Sequence, residues 1–293
     1  MAKTNKIIRY FSFALIAAAV IAAIAFGAVS CNYVRTTKYV QADNTDYYSQ
    51  TTNFETEGEY REYIAQRAEG NDTVNVLPEG CTFIAAASTT VWIHEEISVS
   101  GSSSVSNLLA EEEIASYGDN VFTLTIDLAL CRDEETGMYH TAANAYWQAP
   151  DRDAYAGQYT YDYLAVTFGG REQLIVAGTH ESGTYADGDK ADCAQSLADT
   201  TARVCFIEEC EPIHKNDNAY LNNVGVSYDI RHINGHEPTG KRTQIKFIYT
   251  HTYGKEQAYY SVNYSDNDSM PEVDMVMSET YWQIEIAIDG MEY

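Results

Sequence analysis

Val121 to Cys131 reads VFTLTIDLALC. Phe122, Leu124, Ile126, Leu128 and Leu130 alternate with Thr123, Thr125 and Asp127. A period of two puts the five large apolar side chains on one face of a β-strand. Burying such side chains is worth about 1.5–3 kcal/mol each before ordering entropy is subtracted, so that face demands a second layer over it. The charged loop Arg132 to Gly137 leads into Met138 to Gln148, where Tyr139, Ala143, Ala145 and Trp147 alternate. Together the two runs predict a β-hairpin, ended by Pro150 and the charged residues Asp151 to Asp153.

Downstream, Leu164 to Phe168 and Gln173 to Ala177 read as strands joined by Gly169-Gly170, and Ala202 to Ile207 follows a polar interval, Gly178 to Thr201, with room for a short helix. Val224, Val226, Tyr228 and Ile230 share a face. So do Ile245, Phe247 and Tyr249, then Tyr260, Val262 and Tyr264, with Gly254-Lys255-Glu256 predicting a hairpin between the latter two runs. Trp282, Ile284, Ile286 and Ile288 close the series. Upstream, Cys81 to Ala87 and Thr89 to Ser98 read as strands, Ser100 to Ser104 as a Gly-Ser linker, and Ser106 to Ser116 as a short helix. Roughly ten strands with little helix between them is the pattern of a mainly β chain, an antiparallel β-sandwich or distorted barrel.

Glu55 to Glu69 carries a helical pattern with Tyr60, Tyr63 and Ile64 on one side. Ahead of the β region, residues 32–78 are polar and read as a stalk holding that helix, with the β domain over 79–293. Residues 1–31 form a membrane anchor or signal segment. Ile7 to Cys31 is uncharged after Arg9 and follows a basic lead of Lys3, Lys6 and Arg9. Its apolar part is long enough for a membrane helix, which needs about 20 residues, and the basic lead orients the bulk of the chain outside. Ala28-Val29-Ser30-Cys31 resembles the lipobox of bacterial lipoproteins, with Ala28 where that pattern usually has Leu. The resemblance implies cleavage before Cys31 and its lipidation. A retained helix and clean secretion are the other two readings of the segment.

The chain carries 18 Lys and Arg against 43 Asp and Glu, a net charge of −25. Such a surface repels phosphate backbones and excludes nucleic acid as the expected partner. It also serves solubility. Of the six cysteines, Cys193, Cys205 and Cys210 lie close together, which predicts one bridge among them, while Cys131 reads as a small residue at a strand end. No Cys-x-x-Cys pair suggests a zinc ribbon. His94-Glu95-Glu96 lacks the second histidine of a zincin, Ser98 standing in its place, and Asn234-Gly235 breaks the spacing between His232 and His236. Neither a nucleophile elbow nor a phosphate loop is present, and no cofactor is implied.

Tyrosine is over-represented, 24 against nine Phe. Trp147 with Tyr155, Tyr159, Tyr161 and Tyr163 is the candidate binding surface, because flat rings on a sheet stack on sugar faces while hydroxyls bond sugar hydroxyls. The competing reading makes Trp147 core and the tyrosines sheet filler. The sequence therefore points to a cell-membrane protein with its bulk extracytoplasmic, binding a surface glycan or protein. A structural or assembly component of the envelope is the alternative, and a secreted hydrolase without a recognisable motif is a second one. Asp187, Asp189 and Asp192 bring hard oxygen ligands together, a set that suits calcium although it lacks the EF-hand spacing. If calcium binds there, excess calcium raises the melting temperature, and an unchanged melting curve removes the site.

Overall fold

The computed structural model describes residues 47–69, 74–97, 104–118, 121–148, 162–170, 173–185, 188–191, 193–198, 205–210, 221–233, 239–252, 259–263, 272–276 and 281–293. The apolar N-terminal segment and Cys31 lie outside them. Among the described residues no helix is long and apolar enough to cross a membrane.

The chain is mainly β, built of antiparallel sheets. Its first sheet holds β1 (Ser49–Phe54), β2 (Thr82–Ile97), β3 (Ser104–Leu108), β4 (Val121–Arg132) and β5 (Tyr139–Gln148). A second sheet contains β6 (Asp162–Phe168), before the chain returns to the first for β7 (Leu174–Tyr185). The second sheet then gains β8 (Cys193–Ala198) and β9 (Cys205–Cys210), the first gains β10 (Leu221–His232), and the second gains β11 (Arg242–Thr252). After the separate hairpin of β12 (Tyr259–Asn263) and β13 (Glu272–Val276), β14 (Tyr281–Glu292) completes the second sheet. Strand order is β1-β2-β4-β5-β10-β7 with β3 also on β2, facing β14-β11-β6-β9-β8.

The predicted hairpin of β4 and β5 is present, from Thr123 opposite Gln148 to Arg132 opposite Tyr139. Phe122, Leu124, Ile126, Leu128 and Leu130 are fully buried and share one hydrophobic cluster with Leu164, Phe247 and Ile284 of the second sheet. The two sheets therefore share one core, and the layer that β4 demands is the second sheet. Strand β14 alternates as the sequence predicts, with Trp282, Ile284, Ile286 and Ile288 buried and Glu285, Ala287 and Asp289 exposed.

The opposite face of β4 is covered as well. Ala86, Ala129 and Ala142 stand directly opposite one another across β2, β4 and β5. This row of small side chains makes a flat floor, and helix α1 (Glu57–Ala68) lies on it, burying Tyr60 and Ile64 against those alanines, Leu77 and Cys131. A capping box starts the helix: Glu59 N donates to Thr56 Oγ1 at 3.3 Å and Thr56 N to Glu59 Oε2 at 3.1 Å. The stretch 32–78 is expected to be a polar stalk. Its described part instead joins the first sheet, with β1 paired to β2 along Ser49 to Phe54 and α1 packed on the sheet.

Three further expectations change. The helix expected over Ser106–Ser116 is shorter, α2 (Glu111–Tyr117), because residues 104–108 pair as β3 with β2 and bury Leu108. Gly254-Lys255-Glu256 does not close a hairpin between β11 and β12, since β6 and β14 occupy both edges of β11 and β12 pairs with β13. The interval after Gly178 continues as β7 and later as β8, with no helix among its described residues. Gly169-Gly170 ends β6 and turns the chain from one sheet to the other, and Gly170 has φ 79° with the Tyr293 ring 2.8 Å from where a Cβ would sit.

Truncating Leu128 to Ala leaves a cavity where both faces of its strand are packed. Urea unfolding is expected to show a loss of about 2–5 kcal/mol.

Candidate binding cleft

Each end of a two-sheet core is a place where loops and strand termini meet. At one of them, the end of β4, the start of β5, the start of β2, the start of β11 and the end of β14 converge on a cleft of about 300 Å³. It is lined by Phe83, Ile84, Arg132, Glu134, Tyr139, Arg242, Gly290 and Glu292. The turn from β4 to β5 is tied by Asp133, whose Oδ1 accepts from Glu135 N at 2.8 Å and Thr136 N at 3.1 Å. The backbone amides of Thr136 and Glu135 hold its carboxyl below the usual range. Gly137, φ 71°, closes the turn.

Tyr139 joins the two sheets at this point: its hydroxyl accepts from Glu292 N at 3.0 Å. Gly290, φ 133°, lets β14 come so close to β2 that a Cβ there would be 2.5 Å from Ile84 Cγ2. The Arg132 guanidinium lies over the Tyr139 ring, 5.6 Å from its centroid. Its Nε is buried and without a hydrogen-bond partner among the described residues. Arg242 reaches Glu292 Oε1 only at 3.5 Å and is 70 % exposed. Two guanidiniums thus border one hollow in a chain whose net charge is −25, and such planar forks match a carboxylate.

Two other polar constellations lie away from the cleft. On the outer face of the first sheet, Ser88, Asp127, Asn144 and Gly225 form a row across four strands. Asn144 Nδ2 donates to Asp127 Oδ1 at 3.0 Å and to Asn75 O at 3.0 Å, and Asn75 N donates to Asn144 Oδ1 at 2.8 Å. A Cβ at Gly225 would sit 2.4 Å from Asn75 Nδ2, so only glycine leaves room for this dock. From α1, Arg67 comes to 3.8 Å of Asp127 and stacks on Tyr63 and Tyr146, and Tyr63 Oη meets Ser88 Oγ at 2.6 Å. Burial, against the pull of Arg67 and the Asn144 hydrogen bond, pushes the Asp127 carboxyl up to about 6. Burial and Asp127 push the Tyr63 phenol up to about 12.

Between the sheets, Trp147 Nε1 donates to Tyr249 Oη at 2.7 Å, Tyr249 donates to Asp162, and His251 Nδ1 lies 2.8 Å from the other Asp162 oxygen. Asp162 and His251 are both 0 % exposed. An aspartate beside a histidine is a familiar part of hydrolytic sites, but here no solvent reaches either group. The lining of the cleft holds no histidine.

Of the ring surface expected from sequence, Trp147 is in the core, 0 % exposed and packed against Trp282. Tyr163 is buried in β6. These two present no face to a sugar. Tyr155, Tyr159 and Tyr161 lie outside the described residues, as do Asp187 and Asp192. The described member of the acidic trio, Asp189, accepts from Tyr185 N through its carbonyl at 2.8 Å. His94 is a buried strand residue stacked on Tyr117, ring centroids 3.9 Å apart. Cys193 and Cys210 are opposite one another in the β8–β9 ladder, with Cys205 at the far end of β9. The cleft itself was not legible in sequence. Its signal, two arginines 110 positions apart, requires the packing of the two sheets to bring them together.

No family model matches the chain, and no curated protein matches it. Among solved structures, a protein described as a pore forming protein aligns at 8 % identity over 73 % of this chain and 94 % of its own, TM-score 0.28. A structure concerning adhesion by Fap1 fimbriae of Streptococcus parasanguinis aligns at 9 % over 80 % and 96 %, TM-score 0.26. The collagen adhesin of S. aureus aligns at 7 % over 70 % and 90 %, TM-score 0.22. Likeness of this size carries no argument about fold or function.

Asp127 supplies a pH test. Between its unfolded value of 3.8 and about 6, the folded chain holds a proton that the unfolded chain releases, so this group's contribution to stability falls as pH rises through that window. Asp127→Asn removes the titration. Relative to wild type, the variant is expected to gain about 2 kcal/mol between about pH 4 and about pH 7.5, since each tenfold change in an acid constant corresponds to about 1.4 kcal/mol. Urea unfolding at both pH values checks it.

Proposed function

We propose that this protein is a binding module of the cell surface, an extracytoplasmic β-sandwich held to the membrane by residues 7–31, and that its ligand is an acidic surface glycan. The cleft carries the reading. Arg132 and Arg242, which line the hollow together with Glu134 and Glu292, offer two guanidiniums to one carboxylate, while the half-buried Phe83 supplies apolar contact for a sugar ring. A hollow of about 300 Å³ suits one or two sugar units rather than a long chain. The net charge of −25 opposes the approach of an anion from afar. Recognition is therefore short-ranged, made by groups inside the cleft rather than by the field of the molecule.

Assembly into an envelope structure is the second reading, and one observation favours it. β1 ends the first sheet and is exposed at Ser49 to Asn53, which leaves an edge for strand addition among the described residues.

The test is a glycan array probed with the full chain in detergent, comparing carboxylated glycans with their neutral counterparts. Binding confined to carboxylated members, weakened about tenfold or more by Arg132→Gln, is the expected result, since a charge-assisted hydrogen bond is worth about 1.5–3 kcal/mol. Binding that ignores the carboxylate, or survives Arg132→Gln unchanged, removes the cleft as the site. Silence on every glycan with self-association in solution supports assembly.

A further inference from the structure

The antiparallel ladder of β2 and β4 sets Thr82 opposite Arg132 and Phe83 opposite Cys131, with a bulge between Phe83 and Ala85. Cys81, immediately before β2, therefore lies diagonally across from Cys131 on the same side of the ladder as Phe83. Both cysteines belong to the small apolar cluster beneath α1, Cys131 fully inside it and Cys81 half-buried at its margin. Neither is bridged in this structure.

We propose that Cys81 and Cys131 are a disulfide pair, oxidised when the chain meets a disulfide oxidant, and that the bridge braces the wall of the cleft. Their chain neighbours line that cleft: Phe83 is two residues from Cys81, and Arg132 follows Cys131 directly. Fixing the start of β2 to the end of β4 holds those two side chains in place across the hollow.

The route follows from exposure. Cys81, the accessible partner, attacks one sulfur of the oxidant's disulfide as a thiolate, forming a mixed disulfide and releasing one oxidant thiol. Cys131 then gives up its proton and attacks the Cys81 sulfur, releasing the second oxidant thiol. Two protein thiols are oxidised, and one oxidant disulfide is reduced to two thiols. Burial, reinforced by the Cys81 thiol, pushes the Cys131 thiol up, which makes this second step the slow one at neutral pH and speeds it as pH rises. The pair does not rest on the glycan reading, because the bridge closes whether or not the cleft takes a ligand.

The reduced full chain is re-oxidised in a glutathione buffer, unfolded, blocked with an alkylating reagent and digested. The expected product is one peptide pair joining Cys81 to Cys131 that separates on reduction. The oxidised chain should also melt about 5–10 °C above the reduced one. Cys81→Ser, at the half-buried position, should keep the far-ultraviolet spectrum of the wild type while abolishing both the joined peptide and its share of the melting difference. Recovery of Cys81 and Cys131 both carrying the alkyl group after oxidation overturns the proposal, and so does a bridge from either to another cysteine.

Discussion

The middle of β4 is packed on both faces, and the rest of the described structure is arranged around that condition. Five large apolar side chains on one face require the second sheet, while Asp127, Ala129 and Cys131 on the other are covered by α1. A strand in that position cannot be a one-sided surface strand. The covering helix needs its own floor, which the alanine row of β2, β4 and β5 provides by keeping side chains short where a helix must approach.

Two carboxylates are taken out of water by this arrangement, and each is answered differently. Asp162 is bound from Tyr249 and His251 within the second sheet, and Trp147 ties that group to the first sheet through its indole nitrogen. It acts as a polar rivet between layers whose shared core is largely apolar. Asp127 has a single close amide partner and a more distant Arg67, and burial outweighs them. The first carboxylate has both oxygens bonded. The second is left at some cost in neutral solution, and in return fixes both α1 and the 74–77 segment to the same point on the sheet.

The sealed core and the open cleft meet at Tyr139. Its ring faces Arg132, and its hydroxyl reaches the backbone of β14. The residues that close the end of the core are thus the ones that shape the hollow, so core stability and the geometry offered to a ligand are linked through one side chain. The same end carries Cys81 and Cys131, both in the small cluster beneath α1.

Much of this was present in the residue pattern. Alternation in 121–131 identified β4, its buried face and its hairpin with β5, and alternation in 282–288 identified β14, because a period of two is imposed locally by the pleat. A helix over 55–69 was also readable, since Tyr60, Tyr63 and Ile64 fall on one side at helical spacing. What local pattern does not encode is partnership: β11 reads as a hairpin arm with β12, yet pairs with β6 and β14. Trp147 reads as core or as a platform, and the sheet laid over it makes it core. Sequence alone determined β4, β5 and β14 with their buried faces, and the acidic balance of the chain. Tertiary structure alone decided that α1 covers the sheet and that Arg132, Tyr139 and Arg242 border one cleft. The reason is physical: the faces of strands follow from short-range stereochemistry, whereas pairing and docking depend on contacts between residues tens of positions apart or more, which no local window contains.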